Sequence, residues 1–301
     1  MPNISETLEQ ATEILQVSGI VEARREAKSL LAFVLDKNRT FLVAHSEYEL
    51  SAEEKTQFQT VLERRATREP FQYIVGRQEF CGLNFTVTKD VLIPRPETEM
   101  IVEAASEILK ENARFCEVGI GSGCISVSIL HRVKTASAIG LDISKRALAV
   151  AEGNAKTHRV LERLELKLSN VFDNLQNEKD EKFDLIVSNP PYISSEEMKA
   201  LQREVRNFEP HIALTDEKDG LSIVEKIIDD APNFLKADGF LLMEIGFNQA
   251  IKVQERFDKT IWREIEILPD LQRILRMVKA KKGTRDEGRG TRDEEEMRSE
   301  K

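Results

Sequence analysis

Apolar residues in the first part of the chain recur at helical spacing. Between residues 4 and 68 they follow the period of amphipathic helices. The clearest run consists of Ala23, Ala27, Leu30, Leu31 and Val34. Ser51 followed by Glu54 matches a capping box, and the helix that it opens must end before Pro70. The pattern predicts a helical bundle over residues 1–70.

The pattern changes after residue 70. Short alternating runs around Gly76 and Gly82 predict a β-hairpin linker within residues 71–92. Residues 93–279 alternate apolar strand-like runs with helix-like runs, which predicts a mostly parallel sheet wrapped by helices. Residues 280–301 are mostly charged and repeat Gly-Thr-Arg-Asp-Glu, which predicts a disordered tail. The alternating charge signs favour a solvated tail over one that contacts nucleic acid.

Composition narrows the possible functions. The 301 residues are 41% apolar, and a net charge of −9 argues against a duplex-binding enzyme. Three cysteines without Cys-x-x-Cys spacing indicate a reduced compartment, and four scattered histidines give no metal-ligand spacing. No stretch has the length and apolarity of a membrane span or a signal core. We therefore expect a cytoplasmic protein without a metal site or a membrane partner.

A glycine-rich turn follows the strand-like run at Phe115–Val118. The run Glu117-Val-Gly119-Ile120-Gly121-Ser122-Gly123 has its third glycine one residue too early for a dinucleotide fingerprint. Glycines let the backbone approach a ligand, and the next helix offers free N–H groups. The spacing, with Glu117 ahead of it, suits a cofactor without pyrophosphate, such as S-adenosylmethionine. The alternative is an ordinary tight turn.

Two further strand ends carry polar residues. Asp142 ends the run that starts at Ser137, where a carboxylate can accept both hydroxyls of a ribose. It could also cap the next helix, but Ser144 is available for that role. The run Leu164–Ser169 ends at Asn170 and Val171, which we expect to line an adenine pocket.

The run Asp184–Ser188 ends in Asn189-Pro190-Pro191-Tyr192, the most informative motif of the chain. The prolines stiffen the loop and remove two backbone donors. The loop offers an Asn oxygen, proline-flanked carbonyls and an aromatic face, which together suit a planar –NH2 group. The alternative is a rigid turn with an exposed tyrosine. Because parallel strands place their carboxyl ends along one edge, we expect Gly119, Asp142, Asn170 and Asn189 to meet in a single site.

Together these motifs resemble the peptide chain release factor glutamine methyltransferase family, called HemK or PrmC, over roughly residues 5–279. A sister family that modifies a ribosomal protein usually departs from the run Pro94–Glu99. Relatives usually carry Asp where this chain has Asn170, whose carbonyl oxygen can still accept from the adenine amino group. The sequence segments that carry the resemblance are Arg68–Gly76, Glu79–Gly82 with Phe85, Val91–Glu99, the glycine turn, Ser188–Ile193, Phe208–Pro210 with Ala213 and Leu214, and Glu244–Gly246 with Gln249.

The resemblance implies a Rossmann-like fold of the class I S-adenosylmethionine-dependent methyltransferases. It also implies that the N-terminal helical bundle, which precedes this fold in the chain, docks the protein substrate. It implies methylation of the Gln in the Gly-Gly-Gln loop of class 1 release factors, with S-adenosylhomocysteine as product. Asn189, Pro190, Pro191 and Tyr192 are then the catalytic residues. The segments 94–99 and 208–210 either form the rim of the opening that the substrate loop enters or are proline-stiffened connections. Alternative functions are a ribosomal-protein glutamine methyltransferase, an adenine-N6 nucleic-acid methyltransferase and a non-catalytic cofactor-binding protein.

Overall fold

A computed structural model describes residues 2–178 and 182–284. The chain divides into two compact units. Among the described residues, the helical unit consists of residues 2–78, 87–89 and 201–209, and the sheet unit consists of residues 79–86, 90–178, 182–200 and 210–284. The segment 201–209 therefore belongs to the helical unit, although the sequence around it belongs to the sheet unit.

The helical unit is built from short amphipathic helices around an apolar core. Its core contains Ala23, Ala27, Leu30 and Leu31, as the periodicity predicts. Ser51 and Glu54 form the predicted capping box, and the helix that they open ends at Ala66. The helices are α1 (Ile4–Val17), α2 (Ala23–Val34), α3 (Arg39–Ala44), α4 (Ala52–Ala66) and α5 (Phe71–Val75), with α10 (Arg203–Phe208) from the later segment.

The hairpin is shorter than the sequence predicted. Strands β1 (Arg77–Phe80) and β2 (Leu83–Thr86) form a two-stranded sheet, but residues 71–75 form helix α5 instead of strand. This helix ends at Gly76, whose left-handed conformation (φ 73°) is a common helix terminus.

Within the described residues, a seven-stranded sheet forms the centre of the sheet unit. Its strand order is β5-β4-β3-β6-β7-β9-β8. The pairings from β5 to β7 are parallel, whereas β9 pairs antiparallel with β7 and β8. The strands are β3 (Arg114–Val118), β4 (Ser137–Asp142), β5 (Leu164–Leu168), β6 (Phe183–Ser188), β7 (Leu235–Glu244), β8 (Trp262–Pro269) and β9 (Leu275–Lys282).

Helices cover both faces of this sheet. Successive strand residues enter opposite cores: Leu185 and Val187 pack in one core and Ile186 in the other. This alternation explains the continuous apolar runs, because a strand buried on both faces needs apolar residues at every position. The helices of the sheet unit are α6 (Glu99–Ile108), α7 (Cys124–Arg132), α8 (Lys145–Thr157), α9 (Ser195–Ala200), α11 (Ser222–Asp230) and α12 (Ala250–Arg256).

The sheet confirms the predicted fold class and places the strand ends as expected. Strand order reverses at β3, which has β4 on one side and β6 on the other, and such a switch point opens a crevice at the carboxyl edge. At the other end of the chain, β9 runs to Lys282, so the predicted boundary at 279/280 falls inside a strand. The rest of the predicted tail, from residue 285, lies outside the described residues.

Candidate active site

A cavity of about 540 Å³ lies in the sheet unit at the carboxyl ends of the parallel strands. Gly123 and Tyr192 are not among the residues that line it. The predicted site residues that do line it are Glu117, Gly119, Ile120, Gly121, Ser122, Asp142, Asn170, Val171, Asn189, Pro190 and Pro191. The structure therefore brings together residues that lie up to 74 positions apart in the sequence.

The glycine turn is held by the neighbouring strand and by the following helix. The N–H groups of Gly119 and Ile120 donate to the carbonyl of Leu141 at 2.8 and 2.9 Å. Gly123 has a left-handed backbone (φ 81°), and a Cβ there would lie 3.3 Å from Ala151 of α8. Gly123 therefore allows close packing of α7 on α8, and its expected contact with the cofactor stays a prediction.

Asp142 connects the glycine turn to the start of α8. One carboxylate oxygen accepts from the Gly121 N–H at 2.9 Å and the other from the Ser144 N–H at 2.8 Å. Ser144 itself caps α8 by accepting from the Ala147 N–H at 3.2 Å, as expected. Burial raises the pKa of Asp142 above its ordinary value, although these main-chain donors favour the ionised form. The capping role is filled by Ser144, so Asp142 is available at the cavity.

Glu117 is the buried acid at the end of β3. Its side chain is almost fully buried and accepts from the Ser126 N–H at 2.9 Å. Burial raises the pKa of Glu117 to about 8, and the nearby Asp142 charge acts in the same direction. The hydrogen bonds from Ser126 only partly offset these effects.

The turn after β5 contains a strained valine. Val171 has φ 51°, a conformation that β-branched residues rarely adopt. Ser169 supports it, because its hydroxyl donates to the Val171 carbonyl at 2.8 Å and accepts from the Asn174 N–H at 3.1 Å. These hydrogen bonds hold the turn in its strained conformation, which places Asn170 and Val171 at the cavity wall.

The Asn189–Tyr192 loop begins beside the glycine turn. A Cβ at Gly119 would lie 3.9 Å from the main-chain oxygen of Asn189. The Ser188 hydroxyl donates to the Val118 carbonyl at 2.7 Å, which fixes the end of β6 against the end of β3. The Asn189 side-chain nitrogen donates to the hydroxyl of Thr98 at 3.1 Å. The glycine turn and the Asn189–Tyr192 loop therefore lie next to each other.

Tyr192, the last residue of the loop, does not line the cavity. Its hydroxyl donates to the buried carboxylate of Glu244 at 2.8 Å. Burial and the Glu244 charge raise the pKa of Tyr192, so the hydroxyl keeps its proton. The expected role of the ring as a platform for the substrate stays a prediction.

Two residues outside the motif fix the main chain of the loop. The Gln249 side chain donates to the carbonyls of Tyr192 at 2.8 Å and Gly220 at 3.2 Å, and it accepts from the Gly246 N–H. A Cβ at Gly220 would lie only 2.1 Å from the Tyr192 carbonyl oxygen. Glu244, Gly246 and Gln249 carried the sequence resemblance, and the structure gives them a physical role in supporting the loop.

Sequence reasoning missed one wall of the cavity. Ile212, Ala213 and the segment 215–218 line it, together with Ser222 and Ile223. Asp216 holds this segment, since it accepts from the N–H groups of Lys218, Gly220 and Ser222 and from the Ser222 hydroxyl. Ala213 belongs to the sequence resemblance, and the run Asp216–Gly220 is typical of a turn, but neither signal distinguishes a cavity wall from a surface loop.

Within residues 2–178 and 182–284, no group of three or more His, Cys, Asp or Glu side chains is arranged to hold a metal ion. In the same ranges no helix combines the length and apolarity needed to cross a bilayer.

The fold and this cavity define a class I methyltransferase. A family model described as "Methyltransferase domain" matches residues 109–282, and one described as "PrmC N-terminal domain" matches residues 6–76. A methyltransferase from Pyrococcus furiosus shares the fold, with a TM-score of 0.51 and 14% identity over 67% of this chain and 90% of its own.

Curated relatives narrow the class to one family. The chain is 39% identical to a release factor glutamine methyltransferase of Geobacter sulfurreducens, over 91% of this chain and 95% of that protein. It is 40% identical to a protein of the same name from Cereibacter sphaeroides, over 92% and 98% of the two chains. The chain belongs to the release factor glutamine methyltransferase family. This confirms the resemblance drawn from the motifs.

Proposed function

We propose that this protein transfers a methyl group from S-adenosylmethionine to the side-chain amide nitrogen (N5) of the glutamine in the Gly-Gly-Gln loop of class 1 peptide chain release factors. The observation that carries the proposal is the Asn189–Pro191 segment at a cavity beside the glycine turn. Family membership supports the release factor as substrate. No observation favours the ribosomal-protein, adenine or non-catalytic alternatives.

The cavity suits the cofactor in size and in the chemistry of its walls. Its volume of about 540 Å³ falls in the range of small-molecule sites. Asp142 would accept the ribose hydroxyls, and Asn170 and Val171 would border the adenine. The glycine turn from Gly119 to Ser122 would lie against the rest of the cofactor, near Glu117. When bound, S-adenosylmethionine supplies an electrophilic methyl group on a sulfonium.

The protein must position a poor nucleophile. The lone pair of a carboxamide nitrogen is delocalised into its carbonyl. The Asn189 side-chain oxygen and the Pro190 carbonyl would accept the two N–H protons, which increases electron density on nitrogen and aims it at the methyl group. Orientation of this kind lowers a barrier by about 7–11 kcal/mol in favourable cases. Preorganised acceptors are also more effective in a water-poor site.

The reaction balances without a strong general base. The new N–C bond forms as the S–C bond breaks, and the sulfur keeps the bonding electron pair. The methylated amide is then positively charged and loses one N–H proton to water. The products are N5-methylglutamine, S-adenosylhomocysteine and a proton.

Mass spectrometry of a class 1 release factor tests the proposal directly. The purified factor is incubated with this protein and S-adenosylmethionine, and the Gly-Gly-Gln peptide is weighed for one added methyl group. Asn189→Ala should lower kcat by about 10²–10³, by analogy with the loss of one oxyanion-hole donor. Asn84→Ala, at an exposed asparagine of β2, serves as the matched control and should keep the wild-type rate.

Two outcomes contradict the proposal. An unmodified glutamine with the wild-type protein would exclude the substrate. Near-full turnover by Asn189→Ala would exclude the mechanism. The cytoplasmic location and the expectation of no direct nucleic-acid contact stay predictions.

A further inference from the structure

A chain of hydrogen bonds connects Asn189 to a buried carboxylate. The Asn189 side-chain nitrogen donates to Thr98 Oγ1 at 3.1 Å. The Thr98 hydroxyl donates to Glu244 Oε2 at 2.6 Å. The other carboxylate oxygen, Oε1, accepts from the Tyr192 hydroxyl at 2.8 Å. We call these four side chains the Glu244 network.

Glu244 lies at the end of β7 with only 3% of its surface exposed. A carboxylate at this depth needs hydrogen-bond donors, and Thr98 and Tyr192 supply one to each oxygen. Both donors come from segments that surround the cavity, since Thr98 ends the 3₁₀ turn Pro96–Thr98 and Tyr192 ends the motif. The strand end thus anchors two parts of the site at once.

When Glu244 is ionised, its charge fixes the direction of every hydrogen bond in the network. An ionised carboxylate can only accept, so Thr98 must donate its single proton to it. Thr98 can then only accept from Asn189, which must present its –NH2 group. The side-chain oxygen of Asn189 consequently points away from Thr98. This is the oxygen that the proposed reaction needs as an acceptor.

We infer that Glu244 is a positioning residue, which acts through Thr98 to hold the Asn189 amide with its oxygen free for the substrate N–H. The inference rests on the proposed function, because it assigns a role to Asn189 in that reaction. Glu244 itself contacts neither the substrate nor the cofactor in this scheme. Without the network, the Asn189 amide could rotate and present a donor where an acceptor is required.

The role of Glu244 predicts an acid limb in the pH profile of kcat, that is, a fall in kcat at low pH. Burial raises the pKa of Glu244, and the nearby Glu97 adds to the effect. Arg276 of β9 and the hydroxyls of Thr98 and Tyr192 oppose it. As the pH falls, Glu244 takes up a proton and one of its oxygens becomes a hydroxyl that can itself donate. Because the network then loses its fixed direction, kcat should fall on the acid side.

Substitutions at Thr98 test the connection with the least disturbance. Thr98→Val keeps the shape but removes the hydroxyl, so the Asn189 amide loses its partner. We expect kcat to fall by about 10²-fold, the scale of a 1 Å misplacement. Thr98→Ser keeps the hydroxyl and is the matched control, and it should keep most of the wild-type kcat. Affinity for S-adenosylhomocysteine should stay unchanged in both variants.

Glu244→Gln tests the carboxylate itself. A glutamine offers one acceptor and one donor, so either Thr98 or Tyr192 loses its acceptor. We expect a lower kcat and the loss of the acid limb of the pH profile. Glu111→Gln, at an exposed carboxylate, should change neither.

The double variant decides whether Glu244 acts through Thr98. If it does, Glu244→Gln should have little further effect on kcat in the Thr98→Val background. Additive effects would show that Glu244 acts independently of Thr98 and would overturn the inference. A wild-type kcat in Thr98→Val, or an unchanged acid limb in Glu244→Gln, would also overturn it.

A readout without turnover separates this inference from the proposed function. The side-chain –NH2 signals of Asn189 can be followed by 15N NMR in the complex with S-adenosylhomocysteine. They should shift in Thr98→Val and Glu244→Gln but not in Glu111→Gln. If the wild-type protein leaves the release factor unmodified while these shifts occur, the proposed function fails and the network stands. Unshifted signals would overturn the inference whatever the substrate.

Discussion

At the scale of single residues, the buried carboxyl group of Glu117 lowers the free energy of unfolding. Its folded-state pKa is raised to about 8 from an ordinary value of 4.5, chiefly by burial. Between these two values the unfolded chain has released the proton while the folded chain still holds it. The folded state therefore loses relative stability as the pH rises through this window. Above it, Glu117 is a buried charge that folding must accommodate.

Glu117→Gln should remove this pH dependence. The variant carries no ionisable group there, so its free energy of unfolding should rise relative to the wild type as the pH increases from 4.5 to about 8. Urea unfolding of the cofactor-free proteins measures the difference at each pH. Glu111→Gln is the control and should follow the wild-type curve. Parallel curves for Glu117→Gln and the wild type would show that the buried carboxyl does not titrate in this window.

At the scale of elements, the Asn189–Tyr192 loop is shaped by segments that follow it in the chain. The Gln249 side chain, just before α12, binds the carbonyls of Tyr192 and Gly220. Gly220 has φ 79° and approaches the Tyr192 carbonyl too closely for any side chain. The conformation of the motif thus depends on the turn before α11 and on the start of α12.

Gly220→Ala should damage both stability and turnover. The left-handed backbone alone costs about 1–2 kcal/mol for a residue with a Cβ. The new Cβ would also displace the Tyr192 carbonyl, which lies 2.1 Å from its position. Urea unfolding and kcat measure the two effects.

Gly153→Ala is the matched control for this substitution. Gly153 lies inside α8, and a Cβ there meets nothing within 4 Å. It should stabilise the protein by about 0.5–1 kcal/mol without changing kcat. Equal effects of the two alanines would contradict a special role for Gly220.

Local patterns predicted the elements better than they predicted the site. Strand β4 has the predicted bounds, because an apolar run between polar residues marks a strand that is buried on both faces. Thr98 and Glu244, by contrast, lie 146 positions apart, and no local pattern links them. At Gly123, which we expect to contact the cofactor, a sequence cannot tell whether a missing side chain makes room for a ligand, for a helix or for both. Here it makes room for Ala151.

At the scale of the whole molecule, the chain does not divide at a single point. The segment 201–209 returns from the sheet unit to the helical unit. Glu204 of α10 pairs there with Arg68 at 2.8 Å and with Arg65 at 3.3 Å, and Arg65 also pairs with Glu26. Burial alone would raise the pKa of Glu204, but main-chain hydrogen bonding and the two arginines outweigh it and lower the pKa. Polar contacts therefore attach α10 to the helical unit.

Glu204→Gln should loosen this attachment. Loss of a hydrogen-bonded charge costs about 1.5–3 kcal/mol. Amide hydrogen exchange across residues 201–209 should consequently become faster. Glu196→Gln is the control, because its pair with Lys199 is largely exposed and contributes little. Unchanged exchange in Glu204→Gln would show that apolar packing alone holds the segment.

The return of residues 201–209 has a consequence for protein engineering. A chimera made with a relative is usually designed with one crossover point, for instance after residue 78. Such an exchange would import foreign helices but keep the native α10, so Glu204 would face arginine positions chosen for another partner. The helical unit, which a chimera would exchange, is made of separate segments of the chain. A second, internal graft of residues 201–209 should rescue a chimera that the first exchange leaves unstable.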